Sequence, residues 1–247
     1  MSSTRFIMAI DSSHLKGSVA VSRGDELLCE ILFDASDTHS ATLLPAVDVC
    51  LRSAHLGVKD IDLFGIVRGP GSFTGLRIGL ATIKALAAVK KRPVVSATSL
   101  EVLAAAFPYL SREVVPIIDA RRGEVYLAIY STKGGLPSAI LEPVAVRPEE
   151  IPSLIEENCQ GPVIFCGTGI KKYREAIEPK MPPGSSYSVL YGSVPRASLL
   201  IAVTRGRVEV EYEELSELAP LYIRPPDAKL PDSTDLNPGG SSRWPIL

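Results

Sequence analysis

Three short runs open the chain in which apolar residues dominate or alternate with polar ones: 5–10 (RFIMAI), 17–23 (GSVAVSR) and 26–34 (ELLCEILFD). Polar turns at 11–16 and 24–25 separate them. Connections this short predict an antiparallel meander, because a parallel return needs a crossover of a dozen or more residues. From Thr38 the period lengthens. Leu43, Leu44, Val47, Cys50, Leu51 and Ala54 recur every three to four positions, which predicts an amphipathic helix to about Ala54. Pro45 lies early in that helix, where a missing N–H matters least. The run 63–67 (LFGIV) predicts a buried strand, a glycine-rich loop follows it, a second helix is expected over 74–90, and 92–97 (RPVVSA) closes the unit as another strand.

Three antiparallel strands followed by helix, strand, helix, strand is the order of a ribonuclease-H-like unit, whose later strands need right-handed crossovers. The same pattern then begins again. Residues 114–123 (VVPIIDARRG) repeat the layout of 6–17: an apolar strand, an aspartate at its end, a polar turn and a glycine. Strands are predicted at 124–131 and 139–146, a helix near 148–157, a strand at 162–167 and a helical stretch after Gly169. An internal duplication is therefore expected, with Asp11 and Asp119 at corresponding strand ends.

Composition narrows the function classes. Hydrophobic residues at 46% and charged residues at 22% are globular values and exclude wholesale disorder. Lys and Arg total 26 against 28 acidic residues, so no global positive field draws the chain to polyanions. Cys29, Cys50, Cys159 and Cys166 form no C-x-x-C pair and read as small buried hydrophobes in a reducing cytosol. The apolar stretch at 6–10 is too short for a signal-peptide core or a membrane span, which makes the expected location cytoplasmic. Beyond Tyr222 the chain turns rich in proline, and 225–247 is expected to be a flexible tail.

The segment 68–91 carries the most chemistry. Gly69, Gly71 and Gly75 surround Ser72 and Thr74 where a strand meets a helix, a place where free backbone N–H groups and the helix dipole favour an anion. The Walker pattern fails, because Gly75-Leu76-Arg77 stands where Gly-Lys-Ser/Thr is required, and the G-x-S-x-G elbow fails as well. A phosphate cradle and a tight turn with a Thr74 helix cap both remain open. The helix that follows places Gly75, Gly79, Ala81, Ala85 and Ala88 beside Leu76, Leu80, Ile83 and Leu86, a surface suited to close approach by another helix. His14, His39 and His55 include no helical i, i+4 pair that would ligate a metal.

The motif 69–87 (GPGSFTGLRIGLATIKALA), Asp11-Ser12-Ser13, His39 ahead of LLPAVD, 93–104 (PVVSATSLEVLA) and 117–130 (IIDARRGEVYLAIY) together resemble the TsaB (YeaZ) family. The resemblance covers about residues 5–130 well, and more weakly extends to 220–226. It implies an α/β, actin-like fold of the Hsp70 and sugar-kinase (ASKHA) type made of two tandem ribonuclease-H-like halves. These would be 1–108, carrying the partner interface, and 109–224, followed by the 225–247 tail. The implied role is a non-catalytic scaffold that binds and activates a TsaD-type subunit in making threonylcarbamoyladenosine in tRNA. A TsaE-type ATPase supplies nucleotide turnover in that picture, and tRNA is met only through the complex. The chain alone is expected to self-associate into a homodimer through the same apolar surface, since large exposed patches rarely stay free. No cofactor, metal, catalytic residue or membrane contact is implied. Where a TsaD-type subunit holds a metal with His-x-x-x-His, this chain has Ser99 and Leu103.

Partner contact is expected on helices 40–54 and 74–90 at Leu43, Val47, Leu51, Leu76, Gly79, Ile83 and Ala87. Asp11, Ser12, Ser13, Gly69, Gly71, Ser72, Thr74, Gly75 and Asp119 are expected to mark vestigial phosphate loops, since neither aspartate is followed directly by glycine. The alternative is an independent small-molecule kinase or ATPase of the same fold, with Asp11 and Asp119 around magnesium and the 69–75 loop on phosphate.

Overall fold

A computed structural model of the chain describes residues 5–35, 39–188, 194–207 and 214–224. The tail expected at 225–247 lies outside them. The first sheet holds β1 (Phe6–Asp11), β2 (Lys16–Arg23), β3 (Glu26–Asp34), β4 (Leu63–Val67) and β5 (Val94–Ala97), in the order β3-β2-β1-β4-β5. β1, β2 and β3 pair antiparallel as a meander, while β4 and β5 add in parallel after α1 (His39–Ser53) and α2 (Phe73–Ala88). The second sheet holds β6 (Val114–Arg121), β7 (Glu124–Ser131), β8 (Ser138–Val146), β9 (Ile164–Cys166) and β10 (Ser186–Tyr187). Its order, β8-β7-β6-β9-β10, has the same antiparallel and parallel pairings, so the duplication read from the strand-to-turn segments extends to the whole topology.

The core follows from strand alternation. On β1, Met8 and Ile10 face one side and pack with Leu43, Val47, Leu80 and Ile83 from α1 and α2, whereas Ile7 and Ala9 face the other side and meet Leu200 and Val203. In the second half, Ile117, Leu127 and Phe165 pack against α4 (Ile151–Asn158) and α5 (Ile170–Ile177).

Two helices depart from the sequence expectation. α3 (Ser99–Ala104) is buried on every side, with Val102 in the core of the first half and Leu100 and Leu103 in that of the second. A six-residue helix buried on all sides, its Ser99 and Glu101 included, shows no amphipathic period, so periodicity passes over it. α6 (Ala197–Arg207) returns to pack on the first sheet, across the division expected at residue 108, and the Ala197 N–H donates to the Ser18 hydroxyl at 2.9 Å. The layers therefore run α1/α2, first sheet, α3/α6, second sheet, α4/α5. Cys50 and Cys166 are buried, Cys29 and Cys159 half-buried, and all four are free thiols. No described helix is long and apolar enough to cross a membrane.

Candidate functional site: the inter-half cleft and the outer helical face

β1 and β4 run parallel, so their C-terminal ends bring the 11–15 loop against the 68–72 loop. The contact is close. The Ser72 N–H donates to the Ser13 carbonyl at 2.7 Å, and the Ser12 hydroxyl donates to the Gly75 carbonyl at 2.8 Å. Glycine is required here for space, because a Cβ on Gly71 would lie 2.2 Å from the Ser13 carbonyl oxygen and one on Gly79 would lie 2.1 Å from the Ser12 hydroxyl. On the other side of the loop, Ser99 donates from its N–H to the Gly69 carbonyl and from its hydroxyl to the Pro70 carbonyl. The helix cap is Ser72, whose hydroxyl accepts from the Gly75 N–H at 3.2 Å, and Thr74 lies exposed inside the helix. Two of the N–H groups that a phosphate cradle would use are thus taken by a carbonyl and a hydroxyl of the chain itself.

The two strand-end aspartates have different environments. Asp11 is completely buried, accepts the Ser13 N–H on one oxygen at 2.9 Å, and has no partner on the other among the described residues. Burial pushes its carboxyl up to about 6, against the opposing pull of the Ser13 hydrogen bond. Burial likewise drives the His14 imidazole down to about 4, so the ring is neutral near pH 7, and its Nδ1 lies 2.7 Å from the Ser13 hydroxyl. Asp119 lines the cleft. Desolvation opposes its charged form, but the Lys172 ammonium at 3.0 Å, the Arg121 N–H and the Tyr173 hydroxyl outweigh it and hold the carboxyl below its ordinary range. Asp119 is therefore an occupied ion-pair partner, and Asp11 is sealed beneath the loops.

Between these loops lies a cleft of about 700 Å³, lined by Ser13, Gly71–Thr74, Ile118–Arg121, Tyr126, Tyr222 and Arg224 among others. The segment 214–224 straps its mouth. Leu218 enters the core of the first half, and the Leu221 N–H donates to the Arg68 carbonyl at 2.7 Å. Tyr222 packs on Phe73 with ring centroids 5.5 Å apart, and Arg224 reaches the second half to meet Glu124 at 2.6 Å and the Ala120 carbonyl at 3.1 Å. Sequence reasoning passed over this strap, because its bonds are made by an irregular segment without period.

The seven expected partner contacts require correction. Leu43, Val47, Leu51, Leu76, Gly79, Ile83 and Ala87 are all buried against the chain's own first sheet or loops. The apolar stripe that periodicity detects is the stripe a helix turns inward. The opposite faces carry Leu44, Pro45 and Val49 beside the exposed Asp48–Arg52 ion pair on α1, and Thr74, Arg77, Ala81, Ala85 and Ala88 on α2. Leu44 is 55% and Val49 52% exposed. The three exposed alanines of α2 are a sequence signal, visible once the inward stripe has been assigned to the sheet.

Ser99 and Leu103 stand on buried α3, where the serine hydroxyl is committed to Pro70, and no described cluster of three His, Cys, Asp or Glu side chains is suited to a metal.

A five-stranded unit present twice, with an aspartate at each first-strand end and a cleft between the copies, places the chain in the actin-like fold class. Residues 33–214 match the family model of TsaD, tRNA N6-adenosine threonylcarbamoyltransferase. The tRNA threonylcarbamoyladenosine biosynthesis protein TsaB of Bacillus subtilis is 30% identical over 223 residues, covering 90% of this chain and 96% of that protein. TsaB of Haemophilus influenzae is 38% identical over 125 residues, 49% of this chain and 52% of the relative. The solved structure of YeaZ from Pseudomonas aeruginosa superposes with a TM-score of 0.75 at 26% identity, covering 88% of this chain and 99% of that one. The chain belongs to the TsaB (YeaZ) family.

Proposed function

We propose that the chain is a non-catalytic subunit of the machinery that makes threonylcarbamoyladenosine in tRNA, and that it holds a TsaD-type catalytic subunit through the outer face of α1 and α2. The observation that carries this reading is the closed loop pair. The Ser72 N–H is spent on the Ser13 carbonyl, and Asp11, the acid expected to hold magnesium in a phosphotransferase, has no exposed surface. The kinase alternative needs both groups open to the cleft.

The outer face supports the partner assignment. Ala81, Ala85 and Ala88 lie along one side of α2 at helical spacing, beside Leu44, Pro45 and Val49 of α1, so another pair of helices can approach closely and bury apolar area. In the absence of the partner the same face pairs two copies of the chain. A TsaE-type ATPase and tRNA enter through the assembled complex, in the cytoplasm, which agrees with the net charge of −2.

The test is capture of a purified TsaD-type subunit on the immobilised chain. Ala85→Arg is expected to abolish capture with the thermal midpoint unchanged, whereas Asp119→Asn captures as the parent does. Capture by Ala85→Arg at the parent level moves the interface elsewhere.

A further inference from the structure

A second cavity, of about 400 Å³, opens between the halves and shares no lining residue with the cleft. It sits at the C-terminal ends of β4 and β5, where open α/β sheets place their ligands. Arg68 follows β4, Thr98 follows β5, Glu101 comes from α3, Arg207 from the end of α6, and Tyr130, Ser138 and Glu142 from β7 and β8. Its polar interior is built. Buried Glu101 accepts from Arg207 at 2.5 Å, Arg207 also donates to the Ser96 carbonyl at 2.9 Å, and the Thr98 and Tyr130 hydroxyls are 3.3 Å apart.

Two lining charges are left over. Among the described residues, neither the Arg68 guanidinium nor the Glu142 carboxylate has a hydrogen bond or an ion pair, although they carry opposite signs and come from opposite halves. The Arg68 backbone is fixed at both ends, by its N–H on the Ala97 carbonyl at 3.0 Å and by its carbonyl under the Leu221 N–H at 2.7 Å, so the point from which the side chain reaches into the cavity is held in place. We propose that this cavity binds a free α-amino acid, with its carboxylate on the Arg68 fork and its ammonium at Glu142. The hydroxyls of Thr98, Tyr130 and Ser138 then face the ligand's side chain.

The charges discriminate among ligand classes. A guanidinium matches a carboxylate with two parallel hydrogen bonds, and an ammonium fits a lone carboxylate. A divalent cation is opposed by Arg68 and Arg207, and a nucleotide phosphate by Glu101 and Glu142. The volume lies near the small end of ligand sites and holds a free amino acid with room to spare. A ligand held by Arg68 on one side and Glu142 on the other also ties the two halves together, so binding raises the melting temperature.

The experiment is a thermal-shift screen of the full chain against each common amino acid at about 10 mM, with hits followed by calorimetry and with acetate and ethylammonium as half-ligands. At least one amino acid is expected to bind with Kd below about 1 mM, and each half-ligand about tenfold more weakly. Arg68→Gln and Glu142→Gln should each lose at least about tenfold in affinity while keeping the unliganded melting temperature. Should either fail to fold, Arg68→Lys, which keeps the charge and loses the fork, is expected to bind at an intermediate level. Absence of binding by every amino acid, or binding that neither substitution weakens, overturns the assignment.

Discussion

The backbone N–H of Ser72 donates to the carbonyl oxygen of Ser13 across 2.7 Å, joining the glycine loop after β4 to the loop after β1. The bond spends on the chain itself an N–H that a phosphate cradle would have to present to its ligand. The approach exists only because Gly71 has no side chain.

Gly71→Ala is accordingly expected to destabilise the chain by about 2–3 kcal/mol, since the new methyl meets backbone rather than a yielding side chain. Urea unfolding followed by circular dichroism measures it. A loss below about 0.5 kcal/mol would show that the loops separate easily.

Mg-ATP titrated into the purified chain is expected to give no micromolar binding and no phosphate release, because both anion-facing loops are already engaged. Calorimetry and a phosphate assay read this out, and turnover by the chain alone would restore the kinase reading.

Asp11 supplies a pH-dependent test. Its carboxyl titrates near 6 in the folded chain, against an ordinary value of 3.8, so its ionisation works against folding as pH rises through that interval. Asp11→Asn removes the penalty. The variant should exceed the parent in stability at pH 7 by up to about 3 kcal/mol, with the difference vanishing below about pH 4. Stability curves at the two pH values check both sign and window, and a variant less stable at pH 7 than at pH 4 relative to the parent would refute the assignment.

The two faces of α2 should separate stability from assembly. Ile83→Ala is expected to cost about 2–4 kcal/mol, because the side chain is fully buried in the first core. Ala81→Arg on the outer face should change stability by less than about 0.5 kcal/mol and yet prevent capture of the TsaD-type subunit. Chemical denaturation and co-purification measured on both variants distinguish the two roles.

Most strands, both long helices and the duplication are legible in the sequence, because amphipathic period and short polar turns leave local signals. The orientation of α1 and α2 is the part that misleads. Leu43, Ile83 and Ala87 stand out as an adhesive stripe, but the nearest apolar surface is the chain's own sheet, and a helix satisfies that contact first. The proposed partner face of α2 is marked by what it lacks: Ala81, Ala85 and Ala88 stand where a solvated face ordinarily carries charge. Gly79, which looks like a contact for another helix, makes room for Ser12. α3 is only six residues long and buries its polar Ser99 and Glu101 with the rest, so no amphipathic period reports it, and the pairing of Arg224 with Glu124, 100 residues apart, has no local signature.

The decisive measurement is threonylcarbamoyladenosine formation on tRNA in a reconstitution with TsaD- and TsaE-type subunits, comparing Asp11→Asn and Asp119→Asn with Ala85→Arg in this chain. Both aspartate variants should support the parent rate to within about twofold, and Ala85→Arg should reduce it by at least about tenfold. Loss of product with the aspartate variants, alongside normal product with Ala85→Arg, would place chemistry in this chain's own cleft and remove the scaffold reading.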